Sequence, residues 1–191
     1  MADTLQGKRV ALLVTDGFEQ VEMTDPRDAL KGAGAEAHII APADRPAGSM
    51  VQGWNHTDKG DTFAVDVPLG KADPNDYDGL VLPGGVINAD HLRLNEDAVR
   101  FARAFFEAGK PVAAICHGAW LLAEVDAVRG RRMTSYPSLK TDLRNAGANW
   151  SDEEVVVDGG LVTSRKPPDL PAFNREVIRA LAEGRSAAKA A

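Results

Sequence analysis

Val10-Ala11-Leu12-Leu13-Val14 is an unbroken apolar run with no polar position left for a solvent face. A strand of that kind is covered on both sides, as in a parallel sheet with helices on each face. Tyr77 to Leu82, closed by Pro83-Gly84-Gly85, and Pro111 to Ile115 have the same character. Between these runs the spacing turns helical: Asp25 to Ala33, closed by Gly34, and the amphipathic Glu96 to Ala108, stopped by Gly109. His38-Ile39-Ile40 resumes as strand. From Gly48 to Val67 Gly and Asp become frequent, and the alternation in Thr62-Phe63-Ala64-Val65-Asp66-Val67 predicts a small antiparallel excursion. Beyond Cys116 the pattern is helical to about Val125. A short strand near Met133, a helix from Ser138 to Asn145, a hairpin around Asp158-Gly159-Gly160 and a last helix from Pro171 to Ala182 follow. Gly184 to Ala191 reads as a frayed tail. Strands alternating with helices of this length predict an α/β fold with a mainly parallel sheet, in one domain without repeats or linkers.

Ligands of such folds sit beyond the carboxyl ends of the strands. At one of them, Ala113-Ala114-Ile115-Cys116-His117-Gly118-Ala119 puts a thiol directly after a buried strand, with small residues two positions to either side. That is the spacing of a nucleophile elbow, where a tight strand-to-helix turn excludes larger side chains. The following helix would present its positive end to the sulfur and favour the thiolate. A lone cysteine in an apolar run is more often simple packing. Its strand-end position, its small neighbours and the adjacent His117 shift the reading to a reactive thiol, with His117 facing either Cys116, the substrate or a partner chain.

At a second strand end, Gly84 and Gly85 let the backbone approach a ligand closely. Free N–H groups there can hold an oxyanion together with the amide after the nucleophile. The plain alternative is a turn. Glu19 and Glu22 follow the first strand; acids before a helix ordinarily complement its dipole. The functional alternative has one of them reaching Cys116 and, if protonated, donating a hydrogen bond to the thiolate. Spacing alone does not choose between the two. The first strand leads into Thr15-Asp16-Gly17-Phe18-Glu19, with no glycine-rich dinucleotide fingerprint. His38, His56, His91 and His117 are scattered without metal-ligand spacing, so no metal and no cofactor is expected. Trp54, Trp120 and Trp150 are expected to pack or to line a pocket.

Composition narrows the partners. The chain has 191 residues, 44% hydrophobic and 26% charged, ordinary for a globular protein. With 22 basic against 28 acidic residues the net charge is −6, and no Lys/Arg cluster offers a local exception. Both features argue against nucleic acid as the primary partner. One cysteine excludes an internal disulfide and fits a reducing compartment. The first nine residues do not read as a signal peptide, and the apolar stretch Pro111 to Val125 is too short to span a bilayer. A cytoplasmic protein without membrane contact is expected.

Several segments resemble the PfpI family of intracellular-protease-like and general stress proteins: Thr15-Asp16-Gly17-Phe18-Glu19-Gln20-Val21-Glu22, Leu82-Pro83-Gly84-Gly85, Leu92-Arg93-Leu94-Asn95-Glu96 and Gly109 to Gly118. Gly130 to Tyr136, Glu154 to Gly159, Thr163-Ser164-Arg165 and Asp169-Leu170-Pro171 extend the likeness, which runs from about residue 8 to 182. The family belongs to the superfamily of the Parkinsonism-associated deglycase and shares the class I glutamine amidotransferase-like fold. The resemblance implies a flavodoxin-like three-layer α/β/α sandwich with a cysteine at the elbow, and homo-oligomers. It also implies that Glu22 is the cysteine-contacting glutamate, with Glu19 nearby. In protease-like members an acid from a neighbouring subunit completes a triad; the matching position is Asp90, in a loop one residue longer than usual, where the family has Glu. No histidine follows His117, which argues against amidotransferase chemistry.

Three functions follow from this resemblance. The first is a stress-response enzyme of the glyoxalase or deglycase kind, acting on reactive aldehydes or glycated groups, with Cys116 as nucleophile and Glu22 and His117 handling protons. The second is a redox sensor or chaperone whose Cys116 oxidises to a sulfinic acid. The third, ranked below both, is an oligomer-dependent cysteine peptidase.

Overall fold

The computed structural model describes residues 4–42 and 49–184. The chain enters through β1 (Arg9–Leu13), a short β2 (Phe18–Glu19), α1 (Gln20–Gly32) and β3 (Glu36–Ala41). A hairpin of β4 (Met50–Asn55) and β5 (Asp58–Ala64) follows, then β6 (Val67–Pro68), β7 (Gly79–Leu82), α2 (Val86–Leu94) and α3 (Glu96–Glu107). The second half runs through β8 (Val112–Ile115), α4 (Ala119–Glu124), β9 (Arg132–Met133), α5 (Lys140–Asn145), β10 (Asn149–Trp150), β11 (Val155–Asp158), β12 (Leu161–Ser164) and α6 (Leu170–Glu183).

Among the described residues, seven strands form one sheet in the order β11-β12-β8-β7-β1-β3-β6. Within the described residues every pairing in it is parallel except β11 with β12, the hairpin at one edge. The central strands are buried along their length because alternate residues feed two separate cores. Ala11 and Leu13 of β1 pack with Phe101 and Phe105 of α3, while Val10 and Leu12 pack with Met23 and Leu30 of α1 and Phe173 of α6. Two covered faces account for the unbroken apolar runs. No helix among the described residues is long and apolar enough to cross a membrane.

The excursion after β3 is antiparallel in β4 and β5, and β2 joins β4 alongside it in parallel. Its limits differ from the alternation reading: Val67-Pro68 leaves the hairpin and pairs with β3 in the main sheet. Gly48 and the tail from Arg185 lie outside the described residues. Two helices also depart from expectation. The first starts at Gln20, five residues before Asp25, and carries Pro26 in its interior. The segment Val86–Leu94, in which the pattern predicts no element, is helical.

Candidate active site

Strand β8 ends at Ile115, and Cys116 turns the chain with φ of 61°, a left-handed conformation costly for any residue with a Cβ. One tight helical turn, Cys116–Gly118, then leads into α4. Gly118 permits the turn: a Cβ there would stand 2.4 Å from the Leu82 carbonyl oxygen at the end of the neighbouring strand. The carbonyl of Cys116 is held from the far side by the Tyr136 N–H at 3.2 Å. The backbone thus fixes the sulfur at the mouth of the sheet.

Glu22, in the first turn of α1, is fully buried. Its Oε2 accepts the Gly84 N–H at 2.9 Å. A Cβ on Gly84 would lie 2.2 Å from that oxygen and 2.6 Å from Cys116 Cβ, so the missing side chain is what lets acid and thiol meet. The carboxyl lies within bonding reach of the Cys116 thiol, although Oε1 has no well-directed hydrogen bond among the described residues. Burial, reinforced by the Glu19 charge, pushes Glu22 from the ordinary 4.5 up to about 8. At neutral pH it therefore holds a proton. Burial, and then the Glu22 charge where that group is ionised, push the Cys116 thiol up; the N–H groups of Gly85 and His117 pull the other way. A neutral Glu22 removes the repulsive part and leaves a proton to share with sulfur.

These contacts revise one expectation. The Gly84 N–H is not free for an oxyanion, because Glu22 occupies it. Gly85 and His117 are the amides that point at the sulfur.

His117 Nδ1 lies 3.2 Å from Cys116 Sγ. The ring stacks on Tyr136, with centroids 4.8 Å apart and planes inclined by 28°, and meets the Trp120 edge at 5.3 Å. Its outer nitrogen, Nε2, is 3.4 Å from Ser138 Oγ. Burial lowers its basicity, so the imidazole is neutral at pH 7. Asp90 is not gathered into this group: it is exposed on α2, with no bond to His117 within the chain among the described residues. Glu19 stands at the cleft, where Oε2 accepts the His56 N–H at 3.1 Å.

Asn88 escaped the sequence reading. Fully buried on α2, its side chain accepts the Thr15 N–H at 2.8 Å and donates to the carbonyls of Pro83 and Gly84 at 3.1 and 3.0 Å. It ties together the loops after β1 and β7, and an asparagine within an unassigned segment gives no sign of this. Above these groups opens a cleft of about 850 Å³ whose walls include Glu19, Trp54, His56, Cys116, Tyr136 and Lys166.

Residues 8–180 match the DJ-1/PfpI family. The chain is 44% identical over 176 residues to protein/nucleic acid deglycase 2 of Escherichia coli, covering 91% of this chain and 98% of that one. It is 43% identical over 174 residues to YraA of Bacillus subtilis, whose name proposes a cysteine protease, covering 91% and 98%. The crystal structure of Drosophila melanogaster DJ-1beta superposes with a TM-score of 0.81 at 27% identity, over 95% of this chain and 91% of that one. The chain belongs to the DJ-1/PfpI family.

Proposed function

We propose that the protein is a cysteine-dependent deglycase, which removes dicarbonyl adducts from amino or thiol groups, with glyoxalase turnover of the free aldehyde as its simplest case. The observation that carries this reading is the Cys116 thiol, set between the protonated Glu22 carboxyl and His117 Nδ1 at 3.2 Å. The similarity to a deglycase at 44% identity supports it. So does the cleft of about 850 Å³, ample for an adduct together with its carrier.

In this mechanism His117 Nδ1 takes the thiol proton, and the thiolate attacks the carbinol carbon of an adduct R-NH-CH(OH)-CO-CH3. The C–N bond breaks, the electron pair leaves on nitrogen, and the amine takes the proton from His117. A hemithioacetal remains on sulfur, the same species that forms when the thiol adds to free methylglyoxal. Neutral His117 then takes the proton from the sulfur-bearing carbon while Glu22 gives its proton to the neighbouring carbonyl oxygen. From the resulting enediol Glu22 takes back a hydroxyl proton and His117 returns its proton to the second carbon, giving a lactate thioester. Water hydrolyses it to lactate and restores the thiol, so adduct plus water becomes amine plus lactate. The amides of Gly85 and His117 point at the sulfur and stabilise the attacking thiolate.

That relative's name extends to nucleic acids. With a net charge of −6, this chain suits adducts on small carriers and proteins better than an intact phosphate backbone. The test is lactate formation from methylglyoxal and from its amine adducts by wild type and Cys116→Ser in metal-free buffer. Equal turnover by the two proteins would end the proposal.

A second reading, peptidase, is favoured by one feature of α2. Val86, Ile87 and Leu94 are exposed at 52%, 42% and 77%, and Asp90 stands among them. A second copy seated on that face would carry its own Asp90 toward His117. Cleavage of unfolded protein that is lost in Asp90→Ala would establish this reading; no cleavage by wild type would remove it.

A further inference from the structure

One wall of the cleft carries a charge that the thiol chemistry does not use. Arg165 and Lys166 are adjacent, yet their surroundings differ completely. Arg165 grips both oxygens of Asp169, through Nε at 2.8 Å and Nη2 at 3.1 Å, and reaches Asp152 through Nη1 at 2.7 Å. Both nearby carboxylates are thereby engaged. Lys166 lines the cleft with Cys116, and among the described residues no hydrogen bond or ion pair holds its side chain. The turn behind it is fixed by Pro167, Pro168 and the bond from Asp169 N–H to the Lys166 carbonyl at 2.9 Å. A rigid backbone thus presents an uncommitted ammonium.

The other titratable groups on the walls sharpen the contrast. They are Glu19, Glu22, His56, Cys116, His117 and Tyr136. Glu22 is neutral at pH 7 and the Glu19 carboxylate is engaged by the His56 N–H. Lys166 is the one permanent cation on the described cleft walls.

We infer that Lys166 is a specificity-determining residue that pairs with a carboxylate on the substrate, so that the cleft selects adducts whose carrier bears a carboxylate, as a free amino acid does. The choice of adduct as ligand rests on the deglycase reading; the anion preference itself does not, and the two can be separated by experiment.

Cys116 is the only cysteine, so alkylation reports on this site alone. Iodoacetate and iodoacetamide deliver the same carbon with the same leaving group and differ in a carboxylate. Their rates with native protein, followed by intact mass, form a ratio in which changes to the thiol itself cancel. In Lys166→Met the iodoacetate-to-iodoacetamide ratio should fall about three- to tenfold, the effect of one charge across a partly solvated cleft, and Lys166→Arg should restore it. An unchanged ratio in Lys166→Met overturns the inference. In parallel, turnover of the methylglyoxal adducts of N-acetylcysteine and of its amide should show a carboxylate preference that Lys166→Met diminishes by a similar factor. A shifted alkylation ratio without turnover of either adduct would refute the deglycase reading and leave the anion site standing. Turnover of both adducts with an unmoved ratio would do the reverse.

Discussion

Glu22→Gln should make the protein more stable and less active at once. A carboxyl that titrates at 4.5 in the unfolded chain and at about 8 in the native state leaves the unfolded chain with fewer protons between those values. Its stabilising contribution is complete below pH 4.5, declines through the window as pH rises, and levels off above pH 8. The decline is about 1.4 kcal/mol per pH unit, with a ceiling of about 5 kcal/mol and about 3 kcal/mol already lost at pH 7. Glutamine keeps an oxygen for the Gly84 N–H, and its other end is never charged. The difference in unfolding free energy between Glu22→Gln and wild type should therefore be about 1 kcal/mol at pH 5 and about 3 kcal/mol at pH 7. Urea titrations at half-unit pH steps measure it, and every other titrating group cancels in the difference. Deglycase turnover should drop at least about a hundredfold in the same variant, because the amide carries no transferable proton. Parallel stability curves from pH 5 to 8 would refute the reasoning and mean that Glu22 is ionised at neutral pH.

Cys116→Gly should be more stable than Cys116→Ala by about 1 kcal/mol, since both lose the sulfur but only glycine accepts φ of 61° without strain; thermal melts of the pair decide it. Asn88→Ala should cost about 2–4 kcal/mol by leaving the Thr15 N–H and two carbonyls without their partner, and Asn88→Asp should be no better because it turns an acceptor toward those carbonyls. Chemical denaturation checks both. Gly84→Ala should abolish turnover while the protein still folds, since its Cβ displaces Glu22 from Cys116; full activity in a folded Gly84→Ala protein would contradict the packing described.

The strands were legible because β1, β7 and β8 are covered on both faces and had to be apolar throughout. The elbow was legible because Gly118 and Cys116 sit at a spacing that sterics impose. What escaped was set by tertiary contact. Asp25-Pro26 looks like a helix start, yet α1 begins at Gln20 because β2 and the loop before it place Glu22 over Gly84, and Pro26 is tolerated inside the helix. Helix α2 shows little periodicity because Val86, Ile87 and Leu94 face outward while Asn88, a polar residue, is buried. Spacing left Glu19 and Glu22 equivalent. The structure separates them through partners remote in sequence, His56 for one and Gly84 for the other.

Glu22 and the amide that holds it are 62 positions apart, and Cys116 lies on a third strand end farther along. No short stretch of chain contains the machinery. During synthesis the carboxyl emerges first, waits for Gly84, and meets sulfur only after β8 has slotted beside β7. Until that moment the cysteine is an ordinary thiol and the glutamate an ordinary acid. Their altered acidity is a birth certificate of the finished sheet: a half-built or misregistered copy carries the same residues without the pairing of acid and thiol.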